Sequence, residues 1–352
     1  MFNIHSIKGV SLDAAGLVAL ADLKAIDYRT ALTGTSSYLD VLFLAPGIHC
    51  QQHASQVNGG EYPSAAAPKE GYVFRVENQA TVSFLQRVGK TGHLTTVEVL
   101  SDTASVKRST RDTIITILYV AGILQTIAVL SLLVLIRDWW GFSVIAMLVG
   151  ARLCNVVVIK RRSELGWKGA SEPGKESDML VFLSQDRWVR MKGSVDDLKA
   201  VTAGQWLREE SPVESFVIGF GTLLVFAAAA LATNASTVGS LLIACLLFVS
   251  VTLLGLCNSL TKTQWMFDRI IRRVGAPKRY ERRLQLVEEF TQLFNREDWA
   301  ITMGLTLPKN YPALSPAEMS PPSPAATVLP PASADSTRRP SCESIQSTAE
   351  KC

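Results

Sequence analysis

The chain carries little charge for its length and no ordered cysteine pattern. Of its 352 residues, only 19% are Asp, Glu, Lys or Arg, against 48% hydrophobic. That balance is rare in a soluble domain of this size. Its six cysteines include no CxxC pair, which argues against a disulfide framework or a zinc ligand set. Cys154, Cys245 and Cys257 sit inside apolar runs, where a small hydrophobe is all the position requires. A formal net charge of +4 is too slight to indicate nucleic acid as a partner. The N-terminal MFNIHSIKGVSLDAAG has no uninterrupted apolar core, so a cleaved signal peptide is not expected. No paired carboxylates, histidine-rich cluster or Ser/His/Asp arrangement lies near the apolar runs. The sequence therefore assigns no catalytic residue, cofactor or metal.

What the chain does have is four long apolar blocks. Residues 113–136 run for 24 positions without a charge, enough to cross a hydrocarbon core of about 30 Å at about 1.5 Å per residue. Residues 139–159 follow after only Arg137 and Asp138, so 113–159 reads as one transmembrane hairpin. Residues 213–260 read as a second, turning at the uncharged TNAST. Backbone groups in lipid must pair within their own segment, so these are helices. Trp139, Trp140 and Trp265 suit the headgroup level. The expected fold is an α-helical integral membrane protein with four transmembrane helices in two hairpins, a small cytosolic α+β portion and a disordered C-terminal tail.

Basic residues set the expected direction. Lys107, Arg108 and Arg111 precede the first span, Lys160, Arg161 and Arg162 follow the second, and Lys262, Arg269, Arg272 and Arg273 follow the fourth. The two short turns carry one basic residue between them. The positive-inside rule then places both termini and the 160–212 loop in the cytosol. Asn234-Ala235-Ser236 is a glycosylation sequon in the second outer turn, too close to the bilayer to be expected to carry glycan.

Residues 1–112 form the expected cytosolic N-terminal region, with a helix over SLDAAGLVALADLKAIDYRTAL and a β-rich segment over 70–101. Its strand-like runs are YVFRVEN, ATVSFLQRV and HLTTVEVLSD. The 160–212 loop holds a hairpin, MLVFLSQDRWVRMKG, and a helix, VDDLKAVTAGQWL, capped by Ser194 and Asp197. The two regions could share one small sheet. Ser211-Pro212-Val213-Glu214 repeats the capping signature at the third span, with proline at the first helical position.

Residues 261–306 read as basic amphipathic juxtamembrane helices, with Leu284, Val287 and Phe294 on one stripe. Their cations Arg269, Arg272, Arg273, Lys278, Arg279, Arg282 and Arg283 are candidates for contact with anionic lipid. Residues 307–352 are Pro/Ser-rich and expected to be disordered. Within them, Ser315, Ser320 and Ser323 each precede proline, and Ser341 follows Arg338-Arg339-Pro340, so all four are phosphorylation candidates.

The stretch from the second span through its following loop, RLCNVVVIKRRSELGWKGASEPGKESDMLVFLSQDRWVRMKGSVDDLKAVTAGQWL, resembles uncharacterised multi-pass membrane proteins of filamentous fungi. The other spans resemble them less closely. The resemblance implies a fungal membrane setting and carries no activity or site residue with it.

Three local patterns have ordinary explanations. Gly89-Lys90-Thr91-Gly92 echoes the end of a phosphate-binding loop, but the required earlier glycine is Phe84, so it reads as a turn. His49 and His53 lie four apart without a third ligand cluster, so no metal is assigned. Ala146/Gly150, Ala228/Ala232 and Ser240/Ala244 have the spacing of close helix packing.

Arg152, inside the second span, is the sharpest feature. A cation there either snorkels to the nearer boundary or faces the bundle interior. Snorkelling runs against the lean of helical side chains toward their own N-terminus. No carboxylate lies within a span, so the expected partners are neutral: Gln125, Tyr119, Asn155, Ser250 and Thr252. With neutral partners only, replacing Arg152 by leucine is expected to be tolerated or stabilising. The preferred reading of function is a non-enzymatic membrane-anchored binding or regulatory protein, whose cytosolic elements bind protein partners or lipid. The alternative is an oligomeric channel or transporter subunit for an anionic or small polar solute, with Arg152, Asn155 and Gln125 as its intramembrane polar residues.

Overall fold

The computed structural model describes residues 18–101 and 110–308. Four helices are long and apolar enough to cross a membrane: α3 (Thr110–Leu135), α4 (Trp139–Arg162), α6 (Pro212–Leu231) and α7 (Thr237–Leu260). Their starts follow from local chemistry. Asp138 caps α4 by accepting from the Gly141 N–H. Ser211 and Glu214 form the expected capping box of α6 around Pro212, and Ser236 caps α7. Half of the apolar window of α4 and 44% of that of α7 are buried, against 22% for α3 and α6, so α4 and α7 are the more enclosed helices. Ile117, Leu124, Phe216 and Leu223 point outward, as residues facing lipid chains would.

Outside these helices, the described residues build one seven-stranded sheet in the order β2-β1-β4-β5-β3-β7-β6. The strands are β1 (Ser64–Ala67), β2 (Tyr72–Arg75), β3 (His93–Leu100), β4 (Glu176–Leu183), β5 (Arg187–Ser194), β6 (Thr263–Met266) and β7 (Arg269–Arg279). Among the described strands, only β3 and β5 pair in parallel. Three separate stretches of chain thus meet in one sheet: before α3, between α4 and α6, and after α7. Their union gathers four helix ends, near 110, 162, 212 and 260, on one side of the bundle. At the opposite end Asp138 joins the two hairpin turns, accepting from both the backbone N–H and the hydroxyl of Ser236.

One face of the sheet looks toward the bundle. Val97, Val181, Val189 and Met191 pack there with Ile159 of α4, helix α2 (Gln79–Val88), helix α5 (Val195–Thr202) and Trp206. The other face carries Ala66, Leu94, Leu180 and Trp188 under α8 (Arg283–Phe294) and α9 (Asp298–Thr302).

Several sequence expectations need correction. ATVSFLQRV is helix α2, because Asn78 caps it through the Thr81 N–H and Ala80, Phe84 and Leu85 repeat at helical spacing. The start of the 261–306 segment is the β6–β7 hairpin, turning at Phe267 and Asp268 with φ of 49° and 60°. Pro277 would have broken a helix there. Within α8, Val287 is buried against the sheet face turned away from the bundle, and Leu284 is exposed. The helix expected over 11–32 is described only from residue 18, and its continuous part is α1 (Ala25–Thr33), stopped by Gly34 at φ 72°. The tail, with Ser315, Ser320, Ser323 and Ser341, lies outside the described residues.

Candidate functional site

The interior of the helical bundle is occupied by the chain's own N-terminal segment. After Gly34, residues 36–57 form two short 3-10 helices, Tyr38–Leu42 and Ile48–Gln56, linked by Phe43-Leu44-Ala45-Pro46-Gly47. Ser37 and Asp40 make a capping box for the first. Gly47, at φ 94°, lets the chain turn where a Cβ would strike the Leu23 backbone. Phe43, Leu44, Ala45 and Ile48 are all buried among Ile123, Leu148, Ala151 and Val225 of the long helices. The Phe43 ring stacks on Tyr119, with centroids 5.5 Å apart, and covers Gly122. His49 lies beside Phe226, with ring centroids 6.0 Å apart. Gly122 is twelve residues into α3, about 18 Å along its axis, so the plug reaches the middle of the bundle. Irregular backbone at such depth is tolerated where protein surrounds it.

The plug explains the polar stripe of α4. Arg152 is only 4% exposed. Its Nε donates to the Asp40 carbonyl at 3.1 Å and a terminal nitrogen donates to Gln51 Oε1. One turn on, the Asn155 amide donates to the Ile48 carbonyl at 2.7 Å and accepts from Gln52 at 3.0 Å. Arg162 donates to Gln52 Oε1 and to the Arg208 carbonyl, and Arg208 pairs with Glu214 at 2.6 Å. A ladder of polar groups therefore runs from mid-bundle to the sheet-side end of α4, each rung closed by the plug or by the loop before α6.

Two carboxylates stand near Arg152. Asp40 accepts from the Tyr119 hydroxyl and the Ser37 N–H. Asp27 of α1 is buried, with one oxygen unpaired. Burial pushes its carboxyl up to about 7, opposed by the positive charge of Arg152.

The neutral partners expected for Arg152 are not the ones it uses. Asn155 takes part in the same ladder through its own bonds. Tyr119 acts through Asp40, while Gln125 Oε1 and Ser250 Oγ are buried without a hydrogen-bond partner. The plug itself was legible only as 41–60 lacking any Asp, Glu, Lys or Arg, too short and too broken by Pro46-Gly47 to read as a span.

The seven basic candidates do not form one face. Arg269 pairs with Asp197 at 2.7 Å, Arg272 with Glu98 at 2.9 Å, Lys278 with Glu289 at 2.6 Å, and Arg283 with Asp186. Arg273, Arg279 and Arg282 are exposed. His53 and Cys50 line a small cavity with Asp22 and Asp27. Among the described residues no group of His, Cys, Asp or Glu is placed to hold a metal ion.

A second feature lies at the edge of the sheet. Tyr72 and Phe74 of β2, Met179, Leu198 and Trp167 line a cleft of about 630 Å³. Trp167 is 80% exposed at its rim, where Lys199 pairs with Glu172 at 2.7 Å. Clefts of this size and apolar lining are typical of ligand sites. Comparison with known proteins finds no matching family model, curated protein or solved structure.

Proposed function

We propose that the chain is a non-enzymatic membrane-anchored binding protein. Four helices anchor it, the sheet and both termini lie in the cytosol, and the cleft around Trp167, Tyr72 and Phe74 receives a ligand or partner. Basic residues flanking the spans on the sheet side support that orientation. Impermeant thiol reagent should reach a cysteine at position 185, in the β4–β5 turn, only after sealed cells are permeabilised. Labelling of intact cells there would reverse the orientation.

The observation that carries the anchor reading is the plug. Arg152 and Asn155 bond to Asp40, Ile48, Gln51 and Gln52 of the same chain, so the polar stripe of α4 is engaged internally. Reconstituted into liposomes, the protein should give no anion flux above protein-free vesicles, with or without Arg152→Ala. Flux in wild type that Arg152→Ala abolishes would replace this reading with the channel or transporter one.

A further inference from the structure

The cleft at the sheet edge has an apolar floor under a mouth rich in hydrogen-bond donors. Phe74, Met179, Val195 and Leu198 make the floor, and the last three of these are buried. The exposed Tyr72, Arg75 and Trp167 and the partly buried Lys168 stand at the mouth. Much of the remaining polar lining is already engaged. Ser177 donates to Glu70, Thr202 to the Leu198 carbonyl, and Lys199 to both Glu172 and the Ala170 carbonyl. Arg75 lies 3.9 Å from Glu77, and its guanidinium sits over the Tyr62 ring.

Lys168 differs from these cations. It is partly buried, yet it makes no ion pair or hydrogen bond among the described residues. Its charge is felt by Asp196, whose oxygens already accept from the Ser171 hydroxyl and the Glu172 N–H. The Tyr72 hydroxyl and the Trp167 indole N–H likewise have no hydrogen-bond partner there. The mouth thus holds one unpaired cation and two idle donors, while Glu77 and Glu172 face cations of their own.

Such a mouth calls for an anionic acceptor, and the floor beneath it calls for an apolar body. A volume of about 630 Å³ is room for one small or single-chain molecule. A peptide ending in a carboxylate fits less well, because its amides would meet buried side chains that offer them no partner. The loop carrying Trp167 and Lys168 begins at the end of α4, so a bilayer crossed by α4 would bring amphiphiles close to the mouth.

We propose that the cleft binds a long-chain carboxylate, its head on Lys168 and its chain against Phe74, Met179 and Leu198. The proposal rests on the reading above that the cleft receives a ligand, and it names the class of that ligand.

The test uses the full chain in phosphatidylcholine nanodiscs at about pH 8, where a carboxyl group is ionised. The probe is palmitate bearing a photoreactive diazirine at the far end of its chain, and the crosslinked residues are mapped by mass spectrometry. Crosslinks should fall on the floor residues, and free palmitate should compete with them at about tenfold lower concentration than hexadecanol. Lys168→Gln should weaken competition by palmitate about tenfold and leave that by hexadecanol unchanged, while Lys168→Arg should retain most of the preference. Equal competition by palmitate and hexadecanol, or an unchanged preference in Lys168→Gln, would overturn the proposal and leave the cleft as a site for an uncharged ligand. Crosslinks confined to the outward faces of α3 and α6 would overturn it too, leaving the cleft to the protein partner that the reading above also allows.

Discussion

Gly122→Leu should destabilise the protein by about 3 kcal/mol, the upper part of the range for overpacking a filled interior. Even a Cβ at this position overlaps the Phe43 ring, and the ring has no room to retreat because it stacks on Tyr119. The smaller change Gly122→Ala is diagnostic through its sign. In an open helical position, alanine stabilises by about 1 kcal/mol relative to glycine. Gly219 and Gly255 have nothing within 4 Å of the added carbon, and alanine there should raise the thermal midpoint in detergent. At Gly122 it should lower it. The partner is identifiable too: Phe43→Ala in the Gly122→Leu background should recover part of the loss, as coupled neighbours do. Three glycine-to-alanine changes with the same sign would mean that Phe43 does not sit where the structure places it.

Arg152→Leu should cost about 3–5 kcal/mol, the range for removing one member of a buried charged network. This reverses the expectation drawn from sequence: the direct acceptors are neutral, as expected, but two carboxylates from outside the spans, Asp27 and Asp40, stand near the guanidinium. The structure surrounds Arg152 with the Asp40 carbonyl, Gln51 Oε1 and the nearby carboxylates of Asp27 and Asp40. Leucine takes the donor from Gln51 Oε1, removes one of the two donors on the Asp40 carbonyl, and removes the positive charge that favours ionised Asp27. The pH dependence separates this from simple loss of packing. Unfolded, Asp27 titrates near 3.8; folded, near 7. Between those values the folded chain holds a proton that the unfolded chain has released, so stability should fall as pH rises through about 4 to 7 and then level off. Asp27→Asn should remove that slope. Arg152→Leu should extend it above pH 7, because the favourable charge is gone. Unfolding of the three proteins between pH 4 and 9 decides the matter, and identical slopes in wild type and Asp27→Asn would sink the assignment.

What could be read from the sequence was local. The four apolar helices need only their own composition, the α6 capping box needs residues 211–214, and the β4–β5 hairpin needs Gln185-Asp186 between alternating runs. Misreadings arose where a short pattern fits two periods. Val82 and Phe84 alternate like a strand, yet Asn78 and the Ala80–Phe84 spacing make a helix. In β7 the density of arginines masked Ile270, Ile271 and Val274, which are β-branched and lie ahead of a proline. The plug was legible only as the uncharged stretch 41–60, not as something that enters the bundle. Arg152 meets Asp40 and Gln51, 112 and 101 positions away, and no local periodicity encodes which distant segment fills a bundle. The presence of Arg152 announced that something polar must lie opposite it, without saying what.

Amide hydrogen exchange in lipid nanodiscs tests the plug most directly. If residues 38–57 are held inside the bundle by Phe43, Gln51 and Gln52, their amides can exchange only when the plug leaves, and they should exchange about as slowly as those of α4. The exposed loop around Trp167 should exchange fast in the same experiment. Exchange of 38–57 at the rate of that loop would place the segment outside the bundle. Arg152 would then be left without the partners described, contradicting the account at its centre.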